Sequence, residues 1–252
     1  MSDLNAKFGK LLFNDFVRMA KDDSLSIHEK VGFPDSYRQG KEAAIFKDII
    51  GKLGDVSHLK KGIALEIGPG CSNIARMLKD VCSEQKCKLL WADNEAMLDL
   101  LPDEPGITEK HAGYYPKIDS LMDTYKGKVN FILCYSVLQC VFEEGNIWSF
   151  IDESLDLLAE GGVFLIGDIP NVSMRKRFFS SNKGIRFHQA FMNTDACPDV
   201  TFNQVEKNKI DDAVIFGVLQ RVRAQGFDAY VMPQHQDLHF ANRREDILIR
   251  RP

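Results

Sequence analysis

Apolar positions over roughly the first 60 residues recur at helical spacing. Phe8, Leu11, Leu12, Phe13, Phe16 and Val17 suit one face of an amphipathic helix. A turn-rich stretch, IHEKVGFPDSYRQG (27–40), follows, and KEAAIFKDIIGKL (41–53) returns to the helical period before stopping near Gly51 and Gly54. From residue 62 the rhythm shortens. Apolar runs of strand length appear at IALEIG (63–68), KLLWAD (88–93), ITEKHA (107–112), VNFILCY (129–135), GVFLIGD (162–168), FDAYVMP (227–233) and EDILIRR (245–251). Helical segments fall between them, notably SNIARMLKDVC, NEAMLDLL, IWSFIDESLDLLAE and DDAVIFGVLQRVRAQG. This alternation predicts a mostly parallel sheet with helices on both faces. The last two runs are joined by PQHQDLHFANRR, which has no helical pattern and predicts an antiparallel finish.

Composition narrows the class. The chain has 252 residues, 44% hydrophobic and 27% charged, which is ordinary globular material able to bury a core. A net charge of −4 provides no global basic field, so nucleic acid is an unlikely partner. The six cysteines form no C-x-x-C pair and read as reduced thiols. The charged N-terminal stretch lacks a signal-peptide core, and no apolar run approaches the ~18 residues of a membrane span. A cytoplasmic, membrane-free protein is expected, and a homodimer stays open. Without internal repeats or linkers, two parts suffice: an N-terminal helical cap over 1–60 and a sheet domain over 61–252.

The chemistry gathers at ALEIGPGCSNIARML (64–78), where a strand breaks on two glycines and resumes as a helix. In an open parallel sheet ligands bind beyond the carboxyl ends of the strands, and glycines there let backbone approach them. Glu66 is an acid inside an otherwise apolar strand, where an unpaired charge is costly. Asp93 closes the next strand, where an acid can accept bonds from ribose hydroxyls. These features, with WADNEAML (91–98), FILCYSVLQCV (131–141) and LLAEGGVFLIGD (157–168) in that order, resemble the class I S-adenosylmethionine-dependent methyltransferases. The resemblance covers residues 40 to 252 and implies a Rossmann-like, doubly wound, seven-stranded, mostly parallel sheet with an antiparallel last strand. It implies S-adenosylmethionine as cofactor, its methionine portion cradled by Glu66, Gly68 and Gly70. Asp93 would then hold the ribose, Asn94 and Met97 would flank the adenine, and Tyr135 and Ser136 would face the transferred methyl. A nicotinamide fingerprint fits less well, because Asn73 stands where its third glycine belongs. One departure is HAGYY (111–115), which lacks the acid that many members use for the adenine amino group.

Asp168, at the end of the fifth strand, and the histidines His111 and His188 are the candidate catalytic residues. Segment 171–205 mixes basic and aromatic residues and reads as a lid, with Arg175 and Arg177 binding substrate from one side and Tyr37 and Arg38 from the other. Such a lid suits a small anionic acceptor, such as a nucleotide-linked sugar, methylated on oxygen. GDIPN and the ending ANRREDILIRR are similar to methyltransferases of bacterial surface-polysaccharide synthesis. The absence of a D/N-P-P-Y tetrapeptide after the fourth strand argues against amino-methylation of adenine. Two alternatives stand: an RNA- or protein-modifying methyltransferase docking through 175–186, and a non-catalytic cofactor-binding partner subunit. No metal site is expected, since His235 and His239, four apart, lie in a non-helical pattern.

Overall fold

The structure is a computed structural model and describes residues 11–252; the expected contribution of Phe8 lies outside that range. Seven strands form one sheet: β1 (Ile63–Ile67), β2 (Lys88–Asp93), β3 (Thr108–Ala112), β4 (Val129–Tyr135), β5 (Leu158–Pro170), β6 (Asp228–Pro233) and β7 (Arg244–Arg250). Their spatial order is β3-β2-β1-β4-β5-β7-β6. Pairings across β3-β2-β1-β4-β5 are parallel, and β7 runs antiparallel to both β5 and β6. The doubly wound sheet expected from the alternating pattern is therefore present.

Successive residues of the central strands serve opposite faces, as the pleat requires. Leu65, Ile67, Ile132 and Cys134 belong to one core, with α9 (Ile147–Leu157) and α12 (Asp212–Ala224). Ala64, Phe131 and Leu133 belong to the other, with α4 (Glu42–Leu53) and α5 (Asn73–Gln85). Burial on both faces explains why β4 reads as an unbroken apolar run. Ile49 of α4 is fully buried, which stabilises its packing by about 2 kcal/mol and makes α4 part of the sheet's own layer.

Ahead of α4 come α1 (Phe13–Ala20), α2 (Ile27–Lys30) and α3 (Asp35–Arg38). Their apolar residues Phe16, Ala20, Ile27 and Val31 pack with Cys71 and Met97 over the carboxyl ends of β1 and β2. Beyond β5, segment 171–205 folds into α10 (Val172–Phe179) and α11 (Asn182–Met192), joined by an aromatic cluster in which Phe187 and Phe191 stack at 5.9 Å. Three short helices complete the set: α6 (Glu95–Leu98), α7 (Asp119–Tyr125) and α8 (Leu138–Glu144). Strand β5 exceeds its predicted run at both ends. Leu158 pairs with Val129 ahead of the glycine turn, and β5 resumes its pairing with β7 at Ile169 after an irregularity around Asp168. No helix among the described residues is long and apolar enough to cross a membrane.

Candidate active site

The switch in strand order lies between β1 and β4, and a cleft of about 1150 Å³, open mouth included, sits there. Gly68 and Gly70 build its floor in the left-handed region, at φ +66° and +58°. A Cβ on Gly68 would stand 2.6 Å from Val137 Cγ2, and one on Gly70 2.5 Å from Val31 Cγ1, so side chains are excluded by space as well as by backbone. Ser72 then caps α5 by accepting from Ala75 N, and Asn94 caps α6 by accepting from Met97 N at 3.0 Å.

Two acids face this floor, and neither makes an ion pair among the described residues. Glu66 is 3% exposed and accepts one hydrogen bond, from Trp91 Nε1–H at 3.0 Å. Burial pushes its carboxyl up to about 8 against the help of Trp91, and the charge of Asp93 adds to the rise. Asp93 accepts from Gly70 N at 2.9 Å and from the backbone and side-chain nitrogens of Asn94 at 2.6 and 2.9 Å. Burial still outweighs these bonds and raises it to about 6. At neutral pH the pair thus holds about one negative charge in an enclosed site.

All eight residues expected to hold the cofactor line this one cleft: Glu66, Gly68, Gly70, Asp93, Asn94, Met97, Tyr135 and Ser136. Of the substrate candidates, Arg38 joins them. Several lining residues had no signal in the sequence. Phe13, Phe16, Val31 and Phe33 form a roof from the N-terminal segment; in the sequence Phe13 and Phe16 read only as a helix's apolar face and Val31 and Phe33 as isolated apolar positions, none distinguishable from core. Glu42 of α4 also lines the cleft, with its carboxylate receiving Asn73 N and Asn73 Nδ2 at 3.2 and 2.7 Å. An acid in a helix's first turn looks the same whether it serves the dipole or a distant loop. At the far end, beyond β3, stand Gly113, Tyr114 and, from α8, Glu144. An acid on α8 thereby faces the region where HAGYY lacks one.

Asp168 departs from expectation. Its carboxylate is 3% exposed and lies outside the cleft lining, behind Arg38 and Ser136. Arg38 Nη2 donates to Asp168 Oδ2 at 2.9 Å and to Ser136 Oγ at 2.7 Å; Arg244 Nη1, Ser136 Oγ–H and Gln234 Nε2 donate to the same carboxylate. Burial alone would raise this carboxyl, but Arg244 and Arg38 outweigh it and hold it below the usual range. A carboxylate so saturated is a poor proton acceptor, and from behind Arg38 and Ser136 it does not border the cleft in which a substrate contact was expected. Asp168 and Ser136 both adopt positive φ (+60° and +62°), a strained backbone that this network holds in place.

Other candidates are likewise elsewhere. His111 lies on edge strand β3 against Tyr125, its Nε2 2.8 Å from Glu109 Oε1 without hydrogen-bond alignment, and burial lowers its pKa. It does not line the cleft. His188 packs on Phe179 in a separate depression of α10 and α11. Arg175 makes a bidentate pair with Glu206 at 2.8 and 2.9 Å, and Arg177 pairs with Asp212, so neither guanidinium reaches the cleft. Tyr37 stacks beside His239 and Phe240 at 5.0 and 5.3 Å instead of entering it. Among the described residues no group of three or more metal-ligating side chains converges.

No family model and no curated protein sequence matches this chain. Solved structures do. The fold is that of the S-adenosylmethionine-dependent methyltransferases. The plantazolicin methyltransferase BpumL in complex with SAH superposes with a TM-score of 0.56 at 11% identity, over 100% of this chain and 97% of that one. A SAM-dependent methyltransferase from Aquifex aeolicus gives 0.53 at 13%, over 89% and 96%, and one from Archaeoglobus fulgidus gives 0.51 at 10%, over 86% and 96%. Identities this low speak for the methyltransferase fold alone.

Proposed function

We propose that this protein is a methyltransferase that binds S-adenosylmethionine in the cleft and acts on a small-molecule acceptor. The observation that carries the reading is the pair of buried acids, Glu66 and Asp93, with no ion-pair partner among the described residues. A ligand bringing an ammonium to Glu66 and a diol to Asp93 would relieve both. The residues present fit such a ligand: the Gly68–Gly70 floor offers bare backbone, and Met97, Tyr114 and the Phe13–Phe16 roof offer apolar surface to a base.

Bound S-adenosylmethionine would supply an electrophilic methyl group to the acceptor. The chain's own part is to align the acceptor and to exclude water. Tyr135 and Ser136, at the end of β4, border the space where transfer would occur. Cys140 borders it too, but burial pushes its thiol up to about 11, with Glu144 and Glu143 adding, so it stays protonated and is no nucleophile.

The acceptor is best read as small. A docking role for 175–186 is weakened by the pairing of Arg175 with Glu206 and of Arg177 with Asp212. The same pairing weakens the motive for an anionic sugar. O-Methylation remains the reading for the transferred group.

Calorimetric titration with S-adenosylhomocysteine, with NADH as parallel control, tests the cofactor. Micromolar-range binding that Asp93→Ala weakens by about 10- to 100-fold, the worth of charge-assisted bonds, is expected. Preference for NADH, or equal affinity in Asp93→Ala, would overturn it.

A further inference from the structure

A second pocket adjoins the cleft. Phe33, Ser136 and Cys140 border both, and Gln139, Val172 and Ile210 are among the walls belonging to the second alone. Most of the wall is apolar. Its lining carries one acid, Glu143, and, besides Arg244, one base, Lys209, so these charges offset in number, and Arg244 is committed to Asp168.

One atom in this wall is out of place. The Gln139 carboxamide donates from Nε2 to the Ser136 carbonyl oxygen. A carbonyl can only accept, so this bond fixes which end of the amide is which. Gln139 Oε1 is left buried, with no donor among the described residues. Buried polar atoms are almost always partnered, and an orphan in the wall of a pocket is a place for a ligand's donor. The amide is not free to turn away either. Ser136 Oγ is locked to Asp168 and Arg38, so the carbonyl that holds Gln139 is fixed from the end of β5 and from α3.

Taking the cofactor reading of the cleft as its premise, we propose that the second pocket receives the methyl acceptor and that Gln139 Oε1 accepts a hydrogen bond from its O–H or N–H. The acceptor class is then a neutral, largely apolar molecule carrying a hydrogen-bond donor. Gln139 is a specificity residue, and Asp168, Arg38 and Ser136 are positioning residues that act through it.

The test uses matched probes on the full chain: 4-ethylphenol and 4-ethylaniline, which carry a donor, and 4-ethylanisole, which does not. Affinities are measured by calorimetry and ligand-observed NMR on wild type, Gln139→Leu and the near-isosteric Gln139→Met, each with and without S-adenosylhomocysteine. In wild type the donor probes should bind about tenfold tighter than the anisole, the effect of one hydrogen bond to a buried acceptor. Both variants should bring the three probes within about twofold while S-adenosylhomocysteine affinity holds, since Gln139 does not line the cleft. Equal binding of phenol and anisole by wild type, a preference surviving in both variants, or no binding of any probe overturns the proposal. Failure of wild type to bind S-adenosylhomocysteine overturns the cofactor reading instead, and the titrations without it still decide whether Gln139 selects donors.

Discussion

Glu66 offers the sharpest check on the proposed cofactor cleft. Its carboxyl is raised to about 8 because burial penalises the charge and Trp91 alone donates to it. If the site takes a ligand ammonium at this carboxylate, binding must draw the proton off. The ionised fraction in the free protein is about 3% at pH 6.5 and about half at pH 8. S-Adenosylhomocysteine affinity should therefore rise about fifteenfold between those values. Asp93, raised only to about 6, is largely ionised over this window and adds little. Calorimetry at pH 7 in buffers of different ionisation enthalpy should register release of about 0.9 proton per ligand. Glu66→Gln should bind more weakly and release almost none. The same variant should be the more stable protein. The unfolded carboxyl ionises near 4.5 whereas the folded one stays protonated to about 8, so its contribution to stability falls as pH rises through that interval. Glu66→Gln should gain on the order of a few kcal/mol at pH 8 and nothing near pH 4. Affinity independent of pH, with no proton release, would refute the assignment of Glu66 to an ammonium.

Other consequences test the surroundings of the cleft. Gly68→Ala should destabilise by at least about 2 kcal/mol in urea unfolding, since φ +66° is unfavourable for alanine and the new methyl meets Val137. Adding Val137→Ala to that variant should show a coupling of about 1 kcal/mol; strict additivity would mean that the contact does not matter. Asp168→Asn should cost about 3 kcal/mol of stability by leaving Arg38 and Arg244 buried without their anion, while S-adenosylhomocysteine affinity changes by less than about twofold. Lost turnover with unchanged stability would instead make Asp168 a catalytic residue. Because its carboxyl is held below the ordinary range, this pairing supports the fold above that range and is lost as pH falls through the lowered value. The wild-type acid-unfolding midpoint should accordingly lie below that of a variant lacking the pairing. Arg175→Ala should leave cofactor affinity unchanged, given its pairing with Glu206 outside the cleft. A loss in the same titration would place the α10–α11 segment over the site.

Sequence by itself determined the layered sheet and the cofactor-side floor of the cleft. Both depend on neighbours along the chain. Strands such as Lys88–Asp93 and Val129–Tyr135 announce themselves by composition and length, and Glu66, Gly68, Gly70, Asp93 and Asn94 sit at strand ends that the alternation locates. Tertiary structure decided everything that depends on charge pairing. Asp168 at a strand end reads as a candidate for contact with substrate; that Arg38, 130 residues away, and Arg244, 76 residues away, close on it is visible only in the fold. Arg175 and Arg177 looked free until Glu206 and Asp212 folded back onto them. His111 lies on the strand that leads to Gly113 at the cleft, but its ring packs at the sheet's edge against Tyr125. Hydrophobic period is a local property, so a single chain displays it. Whether an acid is a ligand, a base or half of an ion pair depends on burial and on partners remote in sequence, and only the folded chain brings those together.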